Sequence, residues 1–471
     1  MHLPNYTEAR KRDNKEYNRV DFKLDNKIKN KYSGKTFFLK TYGCQMNEHD
    51  SENIRALLIS LGFSEVFDYN DCDLVLLNTC SIRENAHNKA FGMLGRLKHL
   101  KMEKPNLLVG LCGCMAQEAS VVDDILNNYK WVNFVFGTHN LYQLPNIIDK
   151  AISDNEQEIE VFSREGDLIE GLPVKRTNSY KAYVNIIYGC NKFCTYCIVP
   201  YTRGRERSRK KEDILKEVDL LIKDGYKEIT LLGQNVNAYG KDLYEDYTLA
   251  NLLEDIAKKD IPRVRFMTSH PWDFTDSMID VIGKYSNIMP SVHLPVQSGS
   301  SRVLKLMGRR YTKESYLELF DKLKKKIPGV SISTDIIVGF PGEEEEDFLE
   351  TLDLVNYCKY DNAFTFIFSK REGTPACKLE DNTSLEEKEV RLQRLNQVVN
   401  KYFLENNKKL EGKIVPVLVD GVSEKKGMYF GYSDTNKLIN FTSKNDVKEG
   451  DFVNVKITSA KTWSLDGEVV E

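Results

Sequence analysis

From residue 35 the chain alternates short apolar runs with amphipathic helical stretches. The first runs fall at 36–42, 74–78 and 107–111, and helical patterns follow, as at 52–61 and 85–100. Apolar runs bounded by glycine and alternating with helices predict a parallel, doubly wound sheet over 35–151. A polar stretch at 152–175, which contains Pro173, reads as a linker. Over 176–407 the strand-then-helix pattern repeats six times. Candidate strands lie at 182–188, 228–232, 264–268, 291–295, 330–338 and 363–368, with helices at 211–223, 249–259, 316–326 and 346–357. Six such units predict an incomplete (β/α)6 barrel, closed by a long charged helix at 385–410. From 408 to 471 the pattern turns to short strands, at 414–420, 428–432, 438–441, 452–459 and 465–470, with glycine-rich turns. Five strands in about 60 residues predict a small OB-like β-barrel. The first 34 residues are charged and aperiodic, with nine basic against five acidic side chains, and are expected to form a disordered polar tail.

At 471 residues the chain is too long for one ordinary core, which agrees with this division. Its 67 basic and 70 acidic residues nearly balance, so global charge argues for no partner. The stretch 408–471 is itself neutral, with ten lysines against ten acidic residues. No stretch has the apolar character of a signal peptide or a membrane span, so a cytoplasmic location without a membrane partner is expected. Local clustering changes the picture at one place. The run 203–211 holds six basic residues and one acidic, and Arg203, Arg205, Arg207 and Arg209 are the expected contacts to RNA phosphates. A second basic cluster at 322–326 is expected to be solvated surface.

Ten cysteines in a reducing compartment read as metal ligands or buried thiols. Cys190, Cys194 and Cys197 form a Cys-x3-Cys-x2-Cys triplet, placed after the first barrel strand. Barrel enzymes carry their chemistry on loops at such strand ends. Three thiolates on one tight loop can grip three irons of a 4Fe-4S cube and leave the fourth open to an exchangeable molecule, the layout of a reactive cluster. Cys44, Cys80 and Cys114 each follow a strand of the first sheet and stand where a helix begins. Ligands of doubly wound sheets bind outside the carboxyl ends of the strands, and a helix N-terminus stabilises a thiolate. A second three-ligand site follows. Any one of these cysteines alone would read as a small core residue. Zinc competes as the metal, with Cys112 as an available fourth ligand, although it lies inside a strand. Cys72, Cys112, Cys358 and Cys377 are assigned to structure.

The chain resembles the radical S-adenosylmethionine (SAM) methylthiotransferase family along nearly its whole length past residue 34. Within it the nearest branch is that of the tRNA-2-methylthio-N6-dimethylallyladenosine synthases. The residues that carry this resemblance are Thr41-Tyr42-Gly43-Cys44-Gln45-Met46-Asn47, Asn78-Thr79-Cys80-Ser81-Ile82-Arg83-Glu84 and Gly113-Cys114-Met115-Ala116-Gln117. The barrel segment from Tyr188-Gly189-Cys190 through Cys197-Ile198-Val199-Pro200-Tyr201-Thr202-Arg203 to Arg209 adds to it. The resemblance implies a TRAM-type C-terminal domain and two 4Fe-4S clusters. Cys190, Cys194 and Cys197 would hold the cluster that binds and cleaves SAM, whose radical removes hydrogen from carbon 2 of an adenine. Cys44, Cys80 and Cys114 would hold an auxiliary cluster carrying sulfur, which a second SAM methylates before transfer. Gln234 and Asn235 occupy the place of the family's Gly-Gly-Glu-like turn, with only one glycine kept, and Asp335 and Glu343 resemble its adenosine-side loop. These four are the expected SAM contacts.

The resemblance also implies the partners. They are the anticodon stem-loop of a tRNA, an electron donor such as flavodoxin or ferredoxin, and a sulfur donor or cluster-assembly protein; a monomer is expected. The expected substrate is N6-isopentenyladenosine beside the anticodon. No basic residue lies between Thr41 and Asn47, which favours an apolar modification over the carboxylate of threonylcarbamoyl-adenosine. A methylthiotransferase for that other nucleoside is the nearest alternative. An RNA-binding module with structural metal and no chemistry is the alternative of another class.

Overall fold

The computed structural model describes residues 1–11, 17–81, 84–154 and 156–470. Ile82 and Arg83 of the second cysteine motif, part of the N-terminal segment (12–16), Asn155 and Glu471 lie outside the described residues. The chain forms two compact units. One comprises Met1–Thr177, Tyr188–Arg209 and Arg371–Cys377, and the other Asn178–Ile187, Lys210–Lys370 and Lys378–Glu471.

The first unit is built on a six-stranded parallel sheet. Its strands, in spatial order, are Ser64–Glu65, Thr36–Thr41, Leu74–Thr79, Leu108–Gly113, Phe134–Phe136 and Glu158–Glu160. Leu74–Thr79 is buried along its whole length because helices cover both faces. Alternate residues serve opposite cores. Val75 and Leu77 pack with Leu94, Leu97, Val122 and Ile125, from helices Glu84–Glu103 and Ala119–Asn128. Leu74 and Leu76 pack with Ile54, Leu57, Leu58 and Ile148, from helices Gln45–Ser60 and Leu144–Asp154. In chain order the strands run 2-1-3-4-5-6, so the sheet reverses direction between Thr36–Thr41 and Leu74–Thr79. In open α/β sheets that switch point is where ligands bind.

The N-terminal segment is folded where it is described, in contrast to the expected tail. Helix Tyr6–Arg10 is capped by the Asn5 side chain. Arg19–Asp21 pairs in parallel with Leu168–Glu170. Ile28 and Tyr32 join the core beneath Gln45–Ser60. The expected linker likewise supplies the sixth strand, Glu158–Glu160, of the main sheet. Both stretches lack periodicity because their few apolar residues are buried singly, against partners distant in sequence.

The second unit holds six parallel strands. Glu228–Leu232 lies between Lys181–Asn185 and Arg263–Phe266, and Ser331–Val338 lies between Ser291–His293 and Asn362–Ile367. A bridge between Val264 and Ile288 joins the two sets. This is the partial (β/α)6 barrel, with helix Leu385–Lys408 against its last strand. The lysines at 322–326 end helix Lys313–Lys326, where Lys322 and Lys326 pair with Asp276 and Asp280. Strands Ile414–Val422, Tyr429–Ser433, Leu438–Thr442, Phe452–Ala460 and Leu465–Val469 close a second, small barrel around Val417, Ile439, Phe441, Val455 and Ile457.

This small barrel is fixed beneath the large one, at the N-terminal ends of its strands. Arg263 is buried there, donating to the carbonyls of Tyr432 (2.9 Å) and Pro416 (3.3 Å), pairing with Asp434 at 2.5 Å and lying over the Phe452 ring. Lys437 pairs with Asp361 at 3.3 Å, and Tyr180 donates to Asp420 at 3.0 Å. Removing one partner of a buried charge network leaves the rest uncompensated. Arg263→Ala exposes Glu228, 3.8 Å away and buried, to that cost, although Arg265 still faces it at 3.4 Å. The expected loss is roughly 3 kcal/mol, read as a lowered midpoint in thermal unfolding; an unchanged midpoint would show that the two barrels are not energetically joined at this point.

Candidate metal centres

Cys44, Cys80 and Cys114 come together at the C-terminal edge of the first sheet. Cys44 is the N-terminal cap residue of helix Gln45–Ser60, Cys80 follows Leu74–Thr79 directly, and Cys114 opens a 3-10 turn after Leu108–Gly113. The first two flank the switch point. Two buried asparagines fix this edge. Asn47 donates from its amide to Asn78 Oδ1 (3.1 Å) and to the Thr79 carbonyl (2.9 Å), and Asn78 donates back to the Asn47 carbonyl (2.9 Å) and to Ser51 Oγ (2.9 Å). Cys44 Sγ donates to Asn47 Oδ1 at 3.3 Å. Gly113 adopts φ 93°, and a Cβ there would meet Asn78 Oδ1 and the Thr79 carbonyl at 2.4 Å, so only glycine admits so close an approach.

Arg203 enters this site from the other cysteine motif. Its Nε donates to Cys114 Sγ at 3.1 Å, and its terminal nitrogen pairs with Asp50 at 2.6 Å. Arg203 is 6 % exposed. The Cys44 thiol is held down at about 6, chiefly by a hydrogen bond from Cys80, and the Arg203 charge adds to this. Burial pushes Cys114 up, and Arg203 opposes it. Cys112, wholly buried in its strand, is pushed well up by burial. Cys72, at the opposite end of the sheet, is pushed to about 11 by burial and donates to the Tyr69 carbonyl.

The remaining arginines of the 203–211 run, expected at RNA phosphates, have partners within the protein. Arg205 pairs with Glu165 at 3.1 Å, Arg209 makes a forked contact with Glu170 at 2.9–3.0 Å, and the buried Arg207 donates to the Gly166 carbonyl at 3.0 Å. The acidic partners come from the stretch read as a linker. These guanidinium groups are engaged inside the unit.

Cys190, Cys194 and Cys197 lie on a tight loop in the same unit, the first two buried and the third half-buried. The Cys190 N–H donates to the Gly204 carbonyl and the Cys197 N–H to the Cys194 carbonyl, both at 3.0 Å. Phe193 takes a left-handed φ of 49° to turn the loop. Gly189 has φ 74°, and a Cβ there would strike the Arg205 carbonyl oxygen at 2.0 Å. The segment Arg371–Cys377 braces the loop through Ala376 N–H to the Thr195 carbonyl, at 2.8 Å. Burial, with Cys197 beside it, pushes the Cys190 thiol well above the ordinary range.

The four expected SAM contacts belong to the second unit. Gln234 is half-buried. Asn235 is buried and donates to Asp273 Oδ2 at 2.7 Å. Asp335 faces His293 Nε2 at 3.3 Å. Glu343 is buried. It accepts from the Gly339 N–H and from Arg391, both at 2.8 Å, and so ties the strand-end loop to helix Leu385–Lys408. An internal ion pair of this kind holds the loop's shape.

Residues 36–137 match the uncharacterized protein family UPF0004, residues 184–355 the radical SAM superfamily and residues 408–470 the TRAM domain. Over 99% of its length the chain is 55% identical to the tRNA-2-methylthio-N(6)-dimethylallyladenosine synthase of Staphylococcus epidermidis, covering 91% of that protein. It is 55% identical, over the same share, to the synthase of that name from Bacillus cytotoxicus, covering 92% of it. The chain belongs to the tRNA-2-methylthio-N6-dimethylallyladenosine synthase family. Its fold is similar to that of the radical S-adenosylmethionine methyltransferase TsrM from Kitasatospora setae, solved with cobalamin and a 4Fe-4S cluster bound. That likeness covers 73% of this chain and 77% of the other at a TM-score of 0.53 and 15% identity, and it concerns fold alone.

Membership of the radical SAM superfamily implies a 4Fe-4S cluster and SAM, and the donor chemistry fits the cluster: soft thiols on a preformed loop. Among the described residues no three His, Cys, Asp or Glu side chains converge on a point suited to a single metal ion. A cubane asks for something else, one thiolate at each of three separate irons. In this synthase family member Asn47, Asn78 and Asp50 support the site without having been expected to, and Arg203, expected at RNA phosphates, is buried beside Cys114. The two asparagines stood inside the quoted motifs, whereas nothing in the sequence links Asp50 to Arg203. Cys44 should be the most reactive thiol of its site. In metal-free protein its alkylation by iodoacetamide is expected to rise through pH about 6 and level off, while Cys114 responds only under alkaline conditions. A Cys44 profile centred near pH ~8.5, as for a free thiol, would contradict the arrangement.

Proposed function

We propose that this protein adds a methylthio group to carbon 2 of N6-isopentenyladenosine beside the anticodon of tRNA, using two SAM molecules and sulfur held on an auxiliary 4Fe-4S cluster. The observation that carries this reading is identity of 55% along 99% of the chain to synthases named for this reaction, through all three domains. The geometry supports it, since both cysteine triads belong to one compact unit.

Cys190, Cys194 and Cys197 would hold the SAM cluster, and Cys44, Cys80 and Cys114 the auxiliary one. The clusters and SAM supply radical formation and sulfur chemistry when bound. The chain's own part is placement. The Gly204 carbonyl and the left-handed Phe193 shape the first loop, and the Asn47–Asn78 pair sets the spacing of the second triad. Cys44 gives up its proton readily, as a metal ligand must. Gln234 and Asp335 remain the proposed SAM contacts. Electrons would come from a flavodoxin or ferredoxin and sulfur from a donor or cluster-assembly protein, in the cytoplasm. Among the described residues no helix is long and apolar enough to cross a membrane.

The isopentenyl substrate is favoured over threonylcarbamoyl-adenosine by the state of Arg203. This cation stands beside the auxiliary triad, but Asp50 already neutralises it at 2.6 Å. A substrate carboxylate would have to displace Asp50 or go unpaired, and either course is costly in a buried site.

Two experiments test the proposal. Reconstituted protein is expected to hold roughly eight irons, four for each cubane. Replacing Cys190, Cys194 and Cys197 together with alanine should halve this and abolish SAM cleavage, whereas iron unchanged in that variant would refute the assignment. Offered both modified tRNAs under one reductant, the enzyme is expected to methylthiolate the isopentenyl form. Preference for the threonylcarbamoyl form would overturn the substrate.

A further inference from the structure

Arg203 stands in an unusual position, between the two cysteine sets. It lies six residues after Cys197, and its neighbour Gly204 accepts the Cys190 N–H at 3.0 Å. Its own side chain crosses to the other set and donates to Cys114 Sγ at 3.1 Å. The adjoining backbone is pinned: the Arg203 N–H donates to the Val199 carbonyl at 2.8 Å, and Thr138 Oγ1 to the Thr202 carbonyl at 2.5 Å. The guanidinium therefore reaches Cys114 from a fixed base. A buried ion pair with Asp50 alone would explain an arginine at this place, but not the direction of Nε, which is spent on a thiol sulfur. That donor is the observation left over.

We propose that Arg203 is a positioning residue of the auxiliary cluster, which holds the Cys114 ligand sulfur in place and, with Asp50 as its counter-charge, sets the cluster's reduction potential. The inference rests on the assignment of Cys44, Cys80 and Cys114 to that cluster. Its physical basis is general. Hydrogen bonds to ligand sulfurs, and charges near a cluster, set its potential. A cluster gains negative charge on reduction. A fixed cation therefore favours the reduced form and an anion disfavours it, and both effects are strengthened where water is excluded. Arg203 and Asp50 act in opposite senses, so their removal must shift the potential in opposite directions. A merely structural ion pair predicts no such opposition, because loss of either partner would loosen the same contact.

The test uses full-length protein in which Cys190, Cys194 and Cys197 are alanine, so that the auxiliary cluster is the one cluster left to observe. Iron content and the midpoint potential, followed by electron paramagnetic resonance during reductive titration, are measured in this parent and in Arg203→Gln, Arg203→Lys and Asp50→Asn. The expected result is a more negative midpoint in Arg203→Gln, a more positive one in Asp50→Asn and a value near the parent in Arg203→Lys. Arg205→Gln, which alters a neighbour paired with Glu165, should leave the midpoint where it was. Shifts of the same sign in Arg203→Gln and Asp50→Asn, or no shift with iron retained, would overturn the proposal. Should Arg203→Gln take up no iron, Asp50→Asn decides alone, and an unmoved midpoint there overturns it. A parent that binds no iron before any change at Arg203 removes the auxiliary cluster itself, a failure distinct from that of the role given to Arg203.

Discussion

The paired amides of Asn47 and Asn78 are the constraint on which the first site depends. They join the helix after the first strand to the end of the third, across the point where the sheet reverses direction. Both side chains are fully buried, and an amide left without a partner there costs about 1–3 kcal/mol, so each holds the other to one rotamer and one spacing. Cys44 starts the helix that carries Asn47, and Cys80 lies two residues beyond Asn78. The distance between these thiols is therefore fixed by hydrogen bonds rather than left to loop conformation. Thiols held in this way are preorganised, whereas a loosely held triad would close on itself.

The Arg203 bridge extends the same logic. Charged groups are rarely buried without a partner. Here the guanidinium satisfies a carboxylate and a thiol at once, and both lie on elements of the doubly wound sheet, while its own backbone belongs to the segment that shapes the second cysteine loop. Two sets of cysteines nearly eighty residues apart in sequence, Cys114 and Cys190 at their closest, are tied by one side chain. Geometry that the chemistry requires is thus carried by residues that have no reactive role themselves.

Much of this could be read along the chain. Strands Glu228–Leu232 and helix Lys211–Lys223 fall where the apolar pattern put them, because local period and burial agree in repeated βα units. The six cysteines stood out as candidates by motif spacing, and the place of Cys44, Cys80 and Cys114 at strand ends is as the pattern put it. The N-terminal segment was not legible, since Ile28 and Tyr32 are isolated apolar residues whose partners lie in the helix that follows the first strand. Nor were the arginines. A run of basic residues looks the same whether it faces water or meets Glu165, Glu170 and Asp50, and only the fold brings those acids to it. At Glu343 the strand-end position suggested a ligand contact, and only the fold shows its distant partner Arg391.

The interleaving of the two units bears on how the protein is made. The unit that carries both cysteine triads is complete only when Arg371–Cys377 joins it, with Ala376 bonded to the Thr195 carbonyl beside Cys194. Synthesis proceeds from the N-terminus at roughly 5–20 residues per second, and domains tend to fold as they emerge. The doubly wound sheet can therefore form early on the ribosome, while the loop of Cys190, Cys194 and Cys197 waits for most of the chain to be translated. For many seconds a nascent chain would present its thiols without the brace. The two parts of the thiol-bearing unit are thus completed at different times in synthesis.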